Sequence, residues 1–209
     1  MLMFISGIST SGKTYVGKKF VEKRNSLGEE WVFKDLDDFY IDKKPLIKLS
    51  NGKEKENWDC FEAIDYKRVK KFLEDSFAAE PEKNVCLVGF ALSGELIGYF
   101  PAIHFHLVLT PSSYEYINER YVFISELEKE LGHLVIQNRQ LTKGFKGDKA
   151  EADVLMVKEV LIPFYKNFVQ TLDKYTILLN VRDERGERIN VLPSLESIIN
   201  RFNLGKPLF

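Results

Sequence analysis

Cysteine is scarce in this chain: Cys60 and Cys86 are the only two among 209 residues. They form neither a disulfide framework nor a Cys-x-x-Cys pair of the redox or metal-binding kind. A reducing compartment, the cytoplasm, is therefore the expected setting. A surplus of one charge is also missing. The 30 Lys plus Arg stand against 31 Asp plus Glu, a formal net charge of -1. Bulk nucleic-acid or anionic-membrane binding uses a basic excess, so neither partner is expected. No uninterrupted apolar run is long enough for a membrane. The most apolar region, 84–110, is broken by Glu95, Pro101, His104, His106 and three glycines, and reads as two buried strands. The N-terminus has no basic leader and reaches a glycine-rich loop within a few residues, so no secretory signal is expected. The three histidines have no metal-ligand spacing with the cysteines. His104 and His106 alternate on one predicted strand, where packing or hydrogen bonding suits them. There is no internal repeat and no low-complexity tract.

What is present is a core-forming composition. The chain is 44% hydrophobic and 13% aromatic, with an ordinary 29% charged fraction. Its length predicts one domain over 1–209, with room for a small mobile insertion. Short apolar runs alternate with amphipathic stretches. "LMFISG", "WVFKDLD", "NVCLVGFA", "IHFHLVLT" and "YTILLNV" read as strands. "KTYVGKKFVEKRNS", "AIDYKRVKKFLEDSFA", "SSYEYINERYVFISELEKEL", "VLMVKEVLIPFYKNFVQTLDK" and "SLESIINRF" read as helices. Ser112 or Ser113 would cap the third, and Pro163 would bend the fourth. "GHLVIQNRQLTKGFKGDKAEAD" has weak periodicity and reads as a loop or lid. Strands rich in Val, Ile, Leu and Phe between helices predict a parallel sheet covered on both faces. The fold class expected is α/β: five parallel strands flanked by helices, with a small lid insertion at about 121–152. In such sheets ligands bind at the C-terminal ends of the strands.

A polar cluster follows the first strand. "GISTSGKT", Gly7 to Thr14, fits G-x-x-x-x-G-K-[ST] at every fixed position. Gly7 and Gly12 let the backbone turn tightly and approach a phosphate. The successive N–H groups through Ser9, Thr10 and Ser11 then point inward, and the following helix adds its positive end. Lys13 would sit between the β- and γ-phosphates, and Thr14 would offer its hydroxyl to Mg²⁺. This predicts a P-loop NTPase fold with ATP and Mg²⁺ as cofactors. A GTPase-type switch would normally add Asn-Lys-x-Asp to read guanine, and the sequence has none.

A second cluster, "DLDDFY", follows the second strand and holds Asp35, Asp37, Asp38, Phe39 and Tyr40. Phosphotransfer needs one carboxylate near the acceptor hydroxyl and another to organise the metal, and an adjacent aromatic can stack on a flat ring. The plainer reading is a solvated acidic turn with Phe39 in the core.

In order, "GISTSGKT", "DLDDFY", "NWDCFEAID" and "VGFAL" resemble the nicotinamide riboside kinase and uridine kinase group of P-loop kinases. The C-terminal run "IPFYKNFVQTLDKYTILLNV" is similar to the group's last helix and strand, and a gap falls at about 121–155. The resemblance implies an ATP-dependent phosphotransferase acting on a small-molecule hydroxyl, typically the 5′-OH of a nucleoside or ribosyl compound. It implies Asp38 as the base and Phe39 and Tyr40 at the acceptor. Asp59 would hold the ribose diol or, alternatively, cap a helix. Arg120 would meet the nucleotide at the lid's start or, alternatively, be an exposed helix charge. Arg139, Lys143, Lys146 and Lys149 suit a basic lid or a solvated loop. One position departs from the pattern. Val88 precedes Gly89-Phe90 where relatives carry Glu. Asp35 or Asp37 would then organise the metal, Glu95 would swing in, or the protein would bind nucleotide without catalysis. A nucleoside monophosphate kinase is a further alternative.

Overall fold

The structure is a computed structural model. It describes residues 1–80, 83–90, 103–110, 114–117, 120–123, 126–144, 146–172, 176–182 and 187–203. The chain runs β1 (Leu2–Gly7), α1 (Lys13–Ser26), β2 (Trp31–Asp35), β3 (Leu46–Lys48), β4 (Glu54–Glu56), α2 (Tyr66–Ala79), β5 (Asn84–Gly89) and β6 (Ile103–Thr110). It continues through β7 (Tyr114–Ile117), β8 (Arg120–Phe123), α3 (Glu126–Lys143), α4 (Asp148–Met156), a π-helical turn (Val157–Leu161), α5 (Ile162–Gln170), β9 (Ile177–Asn180) and α6 (Leu192–Asn203). Single 3₁₀ turns span Leu36–Phe39 and Phe61–Ala63.

All six residues of β1 are buried, which a strand achieves only at the centre of a sheet covered on both faces. β1 is indeed central. The main sheet has five strands, all parallel, in the order β2-β5-β1-β6-β9. Strand alternation sorts the core into two faces. Met3, Ile5, Cys86, Val88, Leu107 and Leu109 pack against Val16 and Phe20 of α1 and Leu195 and Ile199 of α6. On the other face, Leu2, Phe4, Val85 and Leu87 meet Val69 and Leu73 of α2. Val108 on that face meets Val135, Leu161, Tyr165 and Phe168 of the later helices. Cys86 is buried inside the sheet and Cys60 is half-buried outside it, both as free thiols. Ser6 and His106 hydrogen-bond at 2.8 Å between neighbouring strands.

The predicted sheet is the observed one, and α1 has the predicted bounds. Three expectations change. The helix predicted over 112–131 is instead the β7–β8 hairpin followed by α3. Tyr114, Tyr116, Tyr121, Val122 and Phe123 favour extended backbone, which outweighs the helical spacing. The Ser112 and Ser113 caps lie outside the described residues. The predicted loop over 132–153 is mostly helical: α3 runs to Lys143, and α4 starts after Gly147. Gly144 and Gly147 carry positive φ of 64° and 54° and confine the break between the helices. The bend expected at Pro163 is a π-helical turn just before it. A proline ring clashes with the carbonyl four residues back, here that of Glu159, and a wider turn relieves the clash.

Candidate active site

The glycine-rich loop Gly7–Thr14 leaves the C-terminal end of β1. Gly7 is enclosed: a Cβ there would lie 2.4 Å from Ser11 Oγ and 2.8 Å from the Leu109 carbonyl oxygen. Gly12 takes φ 87° as it opens α1, and Thr10 holds the unusual φ of 80°. The Ser11 N–H donates to the Ile8 carbonyl at 3.0 Å, and the Gly7 N–H to that of Phe90 at 3.1 Å, which ties the loop to the end of β5. No side chain caps α1, and its first turn has no acid. Ser11 Oγ is buried without a hydrogen-bond partner among the described residues. An uncapped helix start, an orphaned hydroxyl and Lys13 together fit a phosphate group.

The acid beside the loop is Asp35. The Thr14 hydroxyl donates to Asp35 Oδ2 at 3.0 Å. Asp35 is in register with Val88 on the adjacent strand, so both side chains face α1. Val88 is fully buried, and its Cγ1 would sit 2.7 Å from a Cβ on Gly17. A carboxylate thus stands at the height where Val88 has none, one strand over. The sequence leaves the metal acid between Asp35 and Asp37, with Asp37 the residue placed at the metal. The contact with Thr14 is made by Asp35. Glu95 lies outside the described residues. Among the described residues no group of three or more His, Cys, Asp and Glu side chains could hold a metal. Thr14 and Asp35 fit Mg²⁺ as it usually binds, through one or two carboxylates plus substrate phosphates.

The 3₁₀ turn after β2 sorts the remaining acids. Leu36 and Phe39, three apart, both point into the core. Phe39 is 4% exposed, packed with Phe72 and Leu73, and not on the cleft. That corrects its expected place at the acceptor. Asp37 and Asp38 consequently point outward in different directions. Asp38 pairs with Lys34 at 2.8 Å. Asp37 lines a cleft of about 780 Å³ together with Ser9, Lys13, Tyr40, Trp58, Asp59 and Phe90. The base expected at Asp38 is therefore not on the cleft, and its neighbour is. Tyr40 donates to Asp37. Burial pushes the Tyr40 phenol far above its usual range, and the negative charges of Asp37, Asp59 and Asp35 add to this.

Asp59 reaches the cleft from the segment before the second 3₁₀ turn, its N–H held by Asn57 Oδ1 at 3.1 Å. It is not a helix cap. Asp65 caps α2, accepting from the Arg68 N–H at 3.1 Å. Trp58 stands edge-on to Tyr40 at 4.9 Å between centroids, with Lys44 Nζ 3.8 Å from its ring centre. It is 43% exposed. Trp58 had no assigned role in the sequence, although it sits inside "NWDCFEAID".

The later helices contribute Arg139 from α3 and Lys149, Ala152, Asp153 and Met156 from α4. Arg139 makes a forked bond to Asp153, with Nε and Nη2 to Oδ1 at 3.0 and 2.7 Å. Both are largely buried, at 11% and 5% exposure. Lys146 and Lys149 are exposed. Arg120 lies on β8, opposite Ile117 in the hairpin rather than on a helix. Arg188, unsuspected from sequence, donates to the Thr10 carbonyl at 3.4 Å from the far side of the loop.

An α/β sheet of this order, with a G-x-x-x-x-G-K-[ST] loop after its central strand, is the P-loop NTPase fold. No protein-family model and no curated protein sequence matches the chain. Solved structures do. A protein from Silicibacter sp. TM1040, provisionally described as a fructose transport system kinase, aligns with TM-score 0.51 and 11% identity over 85% of this chain and 88% of that one. A gluconokinase from Sinorhizobium meliloti 1021 aligns at 13% identity and TM-score 0.42, over 98% of this chain and 97% of that one. The shared fold does not single out the nicotinamide riboside and uridine kinase group. Among the described residues no helix is long and apolar enough to cross a membrane.

Proposed function

We propose that the protein transfers the γ-phosphoryl group of ATP to a hydroxyl of a small molecule. The observation that carries this reading is the convergence of Lys13 and Ser9 with Asp37, Asp59 and Tyr40 on one cleft. Bound ATP with Mg²⁺ would supply the phosphoryl group and neutralise the charge that builds on its oxygens. The loop N–H groups and Lys13 would hold the phosphates, and Thr14 with Asp35 would hold the metal. Asp37 orients the acceptor hydroxyl and takes its proton as the new P–O bond forms and the β–γ bridge breaks. The Tyr40 phenol, hydrogen-bonded to Asp37, fixes the direction of that carboxylate. Arg139 and Lys149 face the same space from the later helices, and closure there would exclude water.

The acceptor we favour is the 5′-OH of a nucleoside or ribosyl compound. Trp58 and Tyr40 offer aromatic surface to a flat ring, and Asp59 offers a carboxylate to a diol. A second reading, a monophosphorylated acceptor, draws on Lys55 and Lys149. Both line the cleft and neither is in an ion pair among the described residues. Purified protein with ATP and Mg²⁺ against uridine, cytidine, nicotinamide riboside and their monophosphates decides between them. ADP release that depends on a nucleoside is expected. Release only with monophosphates would select the second reading. Nucleotide binding with no turnover on any acceptor would leave a non-catalytic binding protein.

A further inference from the structure

The β3–β4 hairpin has strands of three residues each and, among the described residues, pairs with no other strand. A lone two-stranded hairpin is marginal in water, so this one needs an anchor elsewhere. Its turn supplies it. Leu49 is buried in a small cluster with Met156 and Val160, flanked by Ile47 and Leu155 and separate from the three clusters around the sheet. Next to it the Ser50 N–H donates to Glu159 Oε2 at 2.9 Å, and the Ser50 hydroxyl donates to Oε1. These bonds hold the Glu159 carboxyl below its usual range. Ser50 and Glu159 are 109 positions apart. Glu159 and Val160 lie in the π-helical turn, a feature that often marks functional positions.

We propose that Leu49, Ser50 and Glu159 form a clasp that positions the acceptor wall of the cleft and makes it move together with α4. The proposal rests on the phosphotransfer reading only in naming that wall. One side of the clasp runs through β4 directly into Lys55, Glu56, Trp58 and Asp59, all on the cleft. The other side is continuous with α4, which brings Lys149, Ala152 and Asp153 to the same cleft. Met156 belongs to both, lining the cleft and packing on Leu49. A displacement of α4 toward nucleotide phosphates is thereby passed to Trp58 and Asp59 through packed side chains and two charge-assisted hydrogen bonds. None of the clasp residues touches the reacting groups. They act through the wall they hold, and an ATP-side event reaches the acceptor side by this route.

The test uses the full chain and needs no known acceptor for its first arm. In Glu159→Ala, amides of 46–56 should exchange at least about fivefold faster than in the wild type, while those of α1 and β1 keep their rates. The melting temperature should stay within about 2 °C, because Glu159 is a surface residue. Ser50→Thr keeps both donors and should exchange like the wild type. A non-hydrolysable ATP analogue with Mg²⁺ should slow exchange at both 7–14 and 46–56 in the wild type, and only at 7–14 in Glu159→Ala. With an acceptor in hand, Glu159→Ala should raise its KM about fivefold or more, leaving kcat and the KM for ATP within about twofold. Unchanged hairpin exchange in Glu159→Ala overturns the clasp. So does a common rise of both KM values. If no acceptor turns over, the phosphotransfer reading fails and the exchange comparison still decides the clasp.

Discussion

Two neighbouring acids give the sharpest test of the site. Asp37 lines the cleft beside Lys13 and accepts from Tyr40, whereas Asp38 pairs with Lys34 and its side chain is 53% exposed. Asp37→Asn keeps the shape and can still accept from the phenol, but it cannot take a proton. A positioned general base contributes about 10²–10⁴ in rate, so kcat should fall by about 100- to 1,000-fold, a barrier increase of about 3–4 kcal/mol. Asp38→Asn removes one exposed ion pair, whose worth is about 0–1 kcal/mol. It should leave kcat within about twofold and stability within about 0.5 kcal/mol. A coupled ADP-release assay at saturating ATP and acceptor measures the first effect, and urea unfolding the second. A hundredfold loss in Asp38→Asn with near-normal Asp37→Asn would refute the assignment. The 3₁₀ turn would then have to rotate when ligands bind.

Other variants probe the frame around these acids. Lys13→Ala should abolish phosphotransfer while the thermal unfolding midpoint moves by no more than about 3 °C; turnover like the wild type would remove the phosphate-loop role. Arg139→Ala leaves Asp153 buried without its partner and should cost about 3–5 kcal/mol in urea unfolding. The Arg139→Ala/Asp153→Ala double variant should cost less than the sum of the singles, and strict additivity would show that the pair is not coupled. Val88→Glu places a carboxylate at this strand end but buries it under α1 beside Asp35. It should destabilise the protein by about 3 kcal/mol or more without raising activity, and a stable, faster enzyme would contradict the placement of Asp35 as the metal acid.

The hairpin of β3 and β4 left a local mark in the sequence. Asn51-Gly52 is a turn signal, and Gly52 takes φ 78° in the five-residue loop between Lys48 and Glu54. The π-helical turn left one mark, Pro163. The β7–β8 hairpin was ambiguous, because its aromatic residues satisfy helical and strand spacings equally over a short window. The Arg139–Asp153 pair had no readable sign, since two charges fourteen positions apart become partners only when α3 and α4 pack.

By itself the sequence determined the first strand, the glycine-rich loop and the helix after it, and the five strands of the main sheet. Those features are local: a glycine spacing, a run of β-branched and aromatic side chains, an amphipathic period. The tertiary structure decided where each acid points. A 3₁₀ turn advances about 120° per residue, so burying Leu36 and Phe39 sends Asp37 to the cleft and Asp38 to Lys34. The register between β2 and β5 sets Asp35 level with Val88 and within reach of Thr14. Adjacent side chains in a sequence carry no direction until the core fixes the rotation of the turn that holds them.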